Sequence, residues 1–123
     1  MRIVRYLDAL ANETWGILEN ETKVVPLPSD PYDKPAPQFE KQLDLSSVRL
    51  LAPCRPSKII CVGLNYRDHA AEMNLALPEE PLLFLKPPSS VIGPEEAIIK
   101  PPQTNNLHYE AELAVVIAKR LKN

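Results

Sequence analysis

Short apolar runs punctuated by proline set the pattern of this chain. Residues 1–7, 14–18 and 23–27 alternate apolar and polar side chains or cluster β-branched ones, which predicts three short strands. Asn20 and Glu21 mark the turn between the last two of these strands. Residues 38–45 predict a short helix or an irregular segment, and residues 48–51 a fourth short strand leading to Pro53. A second apolar run, 59–64, is followed by a mostly polar segment, 65–73, that suits a short helix, and a third, 81–86, is stopped by Pro87 and Pro88. The last run, 107–118, alternates again and reads as a buried strand. The pattern as a whole predicts a β-rich α+β fold with short helices.

Fourteen prolines stand against three glycines. Proline locks φ and removes a backbone donor, so it excludes long helices and marks strand edges and loops. Five of the prolines fall within residues 26–37, which reads as an extended connector. A boundary near Pro53 divides a small N-terminal β-region, 1–52, from residues 53–123. A chain of 123 residues in which 45% are hydrophobic suffices for one small core. The formal net charge of −2 supplies no electrostatic case for nucleic acid or an anionic membrane. No apolar stretch approaches the roughly 20 residues that span a bilayer, and no signal-peptide core is present. Cys54 and Cys61 lack metal-site or redox-motif spacing and read as two thiols in a reducing cytoplasm.

Three constellations carry candidate chemistry. Glu110 and Glu112 head the strand-like run at i and i+2, which places them on one face, continued by Ala114, Val116 and Ala118. Two like charges on a half-buried face are costly unless a cation offsets them. Mg2+ takes one or two carboxylates and keeps positions for water and substrate. The alternative is an exposed edge where both glutamates meet water. Upstream, Asn65 is a candidate helix cap with Asp68 in the first turn. On that helix His69 and Glu72 are i, i+3 neighbours, and a carboxylate beside an imidazole fixes which nitrogen carries the proton. Such a pair suits a general base, although most helical His/Glu pairs are surface ion pairs. Lys86 ends the third run, where it either snorkels to solvent or presents its ammonium to an anion.

Taken in order, these segments resemble the fumarylacetoacetate hydrolase family. The matching pieces are Gly63-Leu-Asn-Tyr-Arg-Asp-His-Ala-Ala-Glu72, Pro81-Leu-Leu-Phe-Leu-Lys-Pro-Pro-Ser-Ser90, Ile92-Gly-Pro94 and Leu107-His-Tyr-Glu-Ala-Glu-Leu-Ala-Val-Val-Ile117. The resemblance spans residues 53–120 and implies the family's mixed, largely antiparallel β-roll in a homodimer. It implies Mg2+ or Mn2+, with Ca2+ as a substitute, held by Glu110 and Glu112. It implies a His69–Glu72 dyad acting on water, Lys86 near the substrate, and Tyr66 and Arg67 as substrate contacts. The activity implied is hydrolysis of a C–C bond in an acylpyruvate-type 2-oxo acid or 1,3-dicarbonyl, as in aromatic catabolism. Oxaloacetate decarboxylation and hydroxydienoate isomerisation are the alternatives within the family. Family members continue past the point where this chain ends, with an aspartate as third metal ligand, a further lysine and a Gly-Thr-Pro loop. A non-catalytic remnant or partner-binding fragment is therefore the reading from a different class.

Overall fold

The computed structural model describes residues 1–122. It divides into two compact units, Met1–Cys54 with Ile92–Asn123, and Arg55–Val91. Among the described residues there are seven strands, one short α-helix and a few 3-10 turns, a β-rich α+β architecture.

The first unit is built on a five-stranded antiparallel sheet. Its strands are β1 (Arg2–Leu7), β2 (Glu13–Glu19), β3 (Lys23–Leu27), β4 (Leu43–Asp44) and β5 (Arg49–Leu51), in the order β4-β3-β2-β1-β5. Chain neighbours pair from β1 to β4, and β5 returns to the free side of β1. The β2–β3 turn runs through Asn20 and Glu21, both with positive φ (48° and 60°). Asparagine tolerates that left-handed region better than most residues, which is why the sequence marks the turn there. Residues 38–45 resolve into a 3-10 turn at Phe39–Lys41, then β4. The proline-rich stretch is only partly a connector, because Pro26 and Leu27 complete β3 and Pro31–Asp33 forms a 3-10 turn capped by the Asp30 carboxylate. Pro26 is tolerated because β4 pairs only with Lys23 and Val24, so no ladder bond is lost at its nitrogen on that side.

Tyr6, Val24 and Val25 are fully buried, with Leu27 and Ala52 close behind. Val24 and Val25 are adjacent in β3 and point to opposite faces, so both sides of this strand are covered. Gly16, on β2 between β1 and β3, is tightly hemmed by side chains of both neighbours. A Cβ built there would lie 2.5 Å from Val24 Cγ1 and 3.1 Å from Tyr6 Cε1, so only glycine leaves room for both. Arg5 lies opposite Trp15 and Leu51 in the ladder and is buried. Its nearest carboxylate oxygen, Glu13 Oε2, is 4.0 Å from Nε, and Nε and Nη1 make no hydrogen bond.

The second unit is a hairpin with a helix between its strands: β6 (Ile59–Gly63), α1 (Arg67–Glu72) and β7 (Leu82–Lys86). The strands pair antiparallel from Ile59 opposite Lys86 to Gly63 opposite Leu82. Every residue of β7 is exposed.

Residues 107–118 depart from expectation. They carry no ladder and are exposed throughout, so the buried strand read from their alternation is corrected. Alternation specifies which side chains share a face, but a strand exists only when a neighbour accepts its backbone hydrogen bonds. No strand among the described residues does so for this run. No helix of the described residues is long and apolar enough to cross a membrane. Cys54 and Cys61 are free thiols.

Candidate active site

The local geometry around α1 follows from a sharp entry. After β6 the chain turns through Leu64, which takes a positive φ of 49°, and enters the helix from Tyr66 in extended conformation (φ −115°, ψ 131°). The helix therefore begins one residue later than a cap at Asn65 requires. The cap position belongs to Tyr66, which makes no side-chain capping bond, and Asn65 is corrected in that role. Asp68 does lie in the first turn, where a carboxylate favours the helix dipole. At the other end the Met73 N–H donates to the His69 carbonyl and the Leu75 N–H to the Ala70 carbonyl, and Asn74 (φ 52°) ends the helix.

Ala70 is the one buried residue of α1, which turns His69 and Glu72 outward together. His69 Nδ1 lies 3.8 Å from Glu72 Oε2, with the side chains 45% and 78% exposed. That separation is an ion-pair distance and too long for a hydrogen bond. Both side chains are free enough of packing for a rotamer change to close it. Tyr66 and Arg67 stand exposed at the head of the same helix. Lys86 is the last residue of β7, and its Nζ sits 6.0 Å from the centroid of the Phe84 ring. Residues 84 and 86 share a face of the strand, so the aromatic ring steadies the ammonium by cation–π attraction. Phe84 was not singled out from sequence, although an aromatic two positions before a strand-terminal lysine was a readable signal.

Glu110 and Glu112 belong to the other unit, in the exposed, ladder-free segment. Their carboxylate oxygens are the hard donors that Mg2+ or Mn2+ accepts, and two carboxylates with water and substrate oxygens form an ordinary Mg2+ donor set. Among the described residues there is no cluster of three or more His, Cys, Asp or Glu side chains arranged to hold an ion. In donor chemistry the two carboxylates suit such an ion.

Comparison with known proteins decides the family. Residues 58–123 match the model described as "Fumarylacetoacetate (FAA) hydrolase C-terminal", and residues 1–53 match "Rv2993c-like, N-terminal". The chain belongs to the fumarylacetoacetate hydrolase family. The human protein named oxaloacetate tautomerase FAHD2A, mitochondrial, is 48% identical over 82 residues, which cover 66% of this chain and 26% of that protein. An uncharacterized protein of known structure from Mycobacterium abscessus superposes with a TM-score of 0.67 at 36% identity, covering 84% of this chain and 40% of its own. The 5-carboxymethyl-2-hydroxymuconate delta-isomerase of Mycobacterium smegmatis superposes with a TM-score of 0.61 at 30% identity, covering 75% of this chain and 35% of its own. The chain spans about a quarter to a third of the length of the curated relatives it matches. Its strand-rich architecture is that of the family's β-roll over the part shared with these neighbours.

Proposed function

We propose that this family member carries part of the active site of a divalent-metal-dependent enzyme acting on 2-oxo acids and their enols. The observation that carries the reading is the His69–Glu72 pair, turned outward together on α1 inside the segment matched by the FAA hydrolase model. In this reading His69 takes and returns a proton at the carbon next to the substrate carbonyl, and Glu72 holds the imidazole in one tautomer. Lys86, steadied over Phe84, offers its ammonium to the substrate carboxylate. Tyr66 and Arg67, exposed beside His69, supply a hydroxyl and a planar guanidinium for further substrate oxygens. Glu110 and Glu112 would hold Mg2+ or Mn2+, which when bound polarises a carbonyl and stabilises enolate charge.

Proton transfer of this kind is tautomerisation or isomerisation, and the names of the human relative and the M. smegmatis neighbour favour it. The second reading is C–C hydrolysis of an acylpyruvate, in which the same His69 draws the proton from an attacking water. The exposed position of the His69–Glu72 pair, open to water, favours it.

The experiment compares enol–keto conversion of oxaloacetate with acylpyruvate cleavage in the full-length protein. His69→Ala is expected to lower the operative activity by about 10²–10⁴-fold, the usual contribution of a general acid–base group. Full activity in that variant would make His69 structural. Glu110→Gln and Glu112→Gln should each sharply weaken Mn2+ binding in calorimetric titration, and unchanged affinity in both would remove them as ligands. A folded full-length protein that binds no Mn2+ and converts neither substrate would leave a binding remnant as the answer.

A further inference from the structure

Strand β5 is the outermost strand of the N-terminal sheet, paired with β1 on one side only. An outer strand presents unpaired backbone groups and is commonly covered by a loop. Residues 92–96 pack beside it as a closed turn. The Glu96 N–H donates to the Gly93 carbonyl at 3.3 Å, and the Gly93 N–H donates to Glu96 Oε2 at 3.0 Å. The other carboxylate oxygen, Oε1, accepts from Arg49 Nη2 on β5 at 3.0 Å. The turn also approaches the backbone just beyond the strand, since a Cβ built on Gly93 would stand 3.5 Å from the Ala52 nitrogen. An open cleft of about 620 Å³ remains between them, lined by Leu45, Val48 and Leu50 on one side and Pro94 and Glu95 on the other.

One carboxylate thus does two things at once: it closes its own turn and grips the strand. The Gly93 N–H and the Arg49 guanidinium together hold the Glu96 carboxyl below the usual carboxylate range. The two ends of the grip also have different origins. Arg49 lies in the stretch matched by the N-terminal family model, Glu96 in the stretch matched by the FAA hydrolase model.

We propose that Arg49 and Glu96 form a lock on a strap, residues 92–96, which ties the FAA hydrolase segment to the N-terminal sheet at a point between Lys86 and Glu110. An exposed ion pair adds little to global stability, so the strap acts on local order. Glu96 contributes more than Arg49, because it alone makes both contacts. The N-terminal sheet is then more than an appendage, since it anchors the chain that leads to Glu110 and Glu112.

Hydrogen exchange on the full-length protein tests the lock. Glu96→Ala is expected to raise exchange of amides in residues 92–96 roughly tenfold, and Arg49→Ala by a smaller factor of about 2–5, with β1, β2 and β3 unchanged, as for a local opening. Arg49→Lys should recover most of the protection, since it keeps the charge. Unchanged exchange at 92–96 in both alanine variants would overturn the proposal, as would an equal rise through β1–β3. Should the alanine variants fail to fold, Glu96→Gln keeps the size and an acceptor for Gly93 while removing the charge. Faster exchange at 92–96 in that variant supports the lock, and wild-type exchange rejects it.

Discussion

In the N-terminal sheet Tyr6, Val24 and Val25 are fully buried, whereas in β7 every residue from Leu82 to Lys86 is exposed. The two regions are similar in sequence character, both short apolar strands in antiparallel pairs. They differ in what covers them. The sheet has five strands, and those from β1 to β4 pair with chain neighbours, so it gathers its own interior from local contacts. The β6–β7 hairpin has two strands, and a two-stranded ribbon is marginal in water without a further layer. Leu82 and Phe84 on one face and Leu83 and Leu85 on the other leave both faces of β7 apolar and exposed, the kind of surface that calls for a covering partner. Apolar composition therefore does not predict burial. How many neighbouring strands and segments are brought to a strand does.

The sharpest way to break this comparison is to remove side chains from each region in turn. Tyr6→Ala is expected to cost about 3–5 kcal/mol, the range for emptying a buried aromatic site, and to abolish the cooperative unfolding of the sheet in chemical denaturation. Gly16→Ala should cost about 1–3 kcal/mol, because the new methyl meets Val24 Cγ1 and the Val25 carbonyl in a fully packed place. Leu85→Ala, by contrast, should change stability by less than about 0.5 kcal/mol, as for an exposed position. A Leu85→Ala cost as large as that of Tyr6→Ala would show that β7 is covered in solution, and the contrast between the regions would fall.

The smallest effect concerns the β1–β2 loop. The Asp8 carboxylate accepts from the Asn12 N–H and side-chain amide and from the Leu10 N–H, which together hold it below the usual carboxylate range. A carboxylate with a depressed folded pKa stabilises above its unfolded value and loses that contribution as pH falls through the folded one. Thermal melts below about pH 4 should therefore fall less steeply for Asp8→Asn than for wild type. Identical slopes would show that the loop bonds add no pH-dependent stability.

Much of the strand map was legible in the sequence, because residues 1–7, 14–18, 23–27, 48–51 and 59–64 carry the period and turn residues of strands. Helix α1 and its outward His69–Glu72 pair were legible too, since i, i+3 spacing alone puts two side chains on one face. The start of α1 was misplaced because Leu64 adopts a left-handed conformation that its side chain does not advertise. The Arg49–Glu96 contact was out of reach, as 47 residues separate its partners and no local pattern links them.

The sequence by itself determined which residues alternate, which motifs stand in order from Gly63 to Ile117, and hence the family. These properties are local or additive along the chain. Only the tertiary structure decided that Val24 and Val25 are both enclosed, that Leu83 and Leu85 are not, and that residues 107–118 form no ladder. Burial and pairing belong to what lies across from a strand, and a strand's own residues do not encode its neighbour.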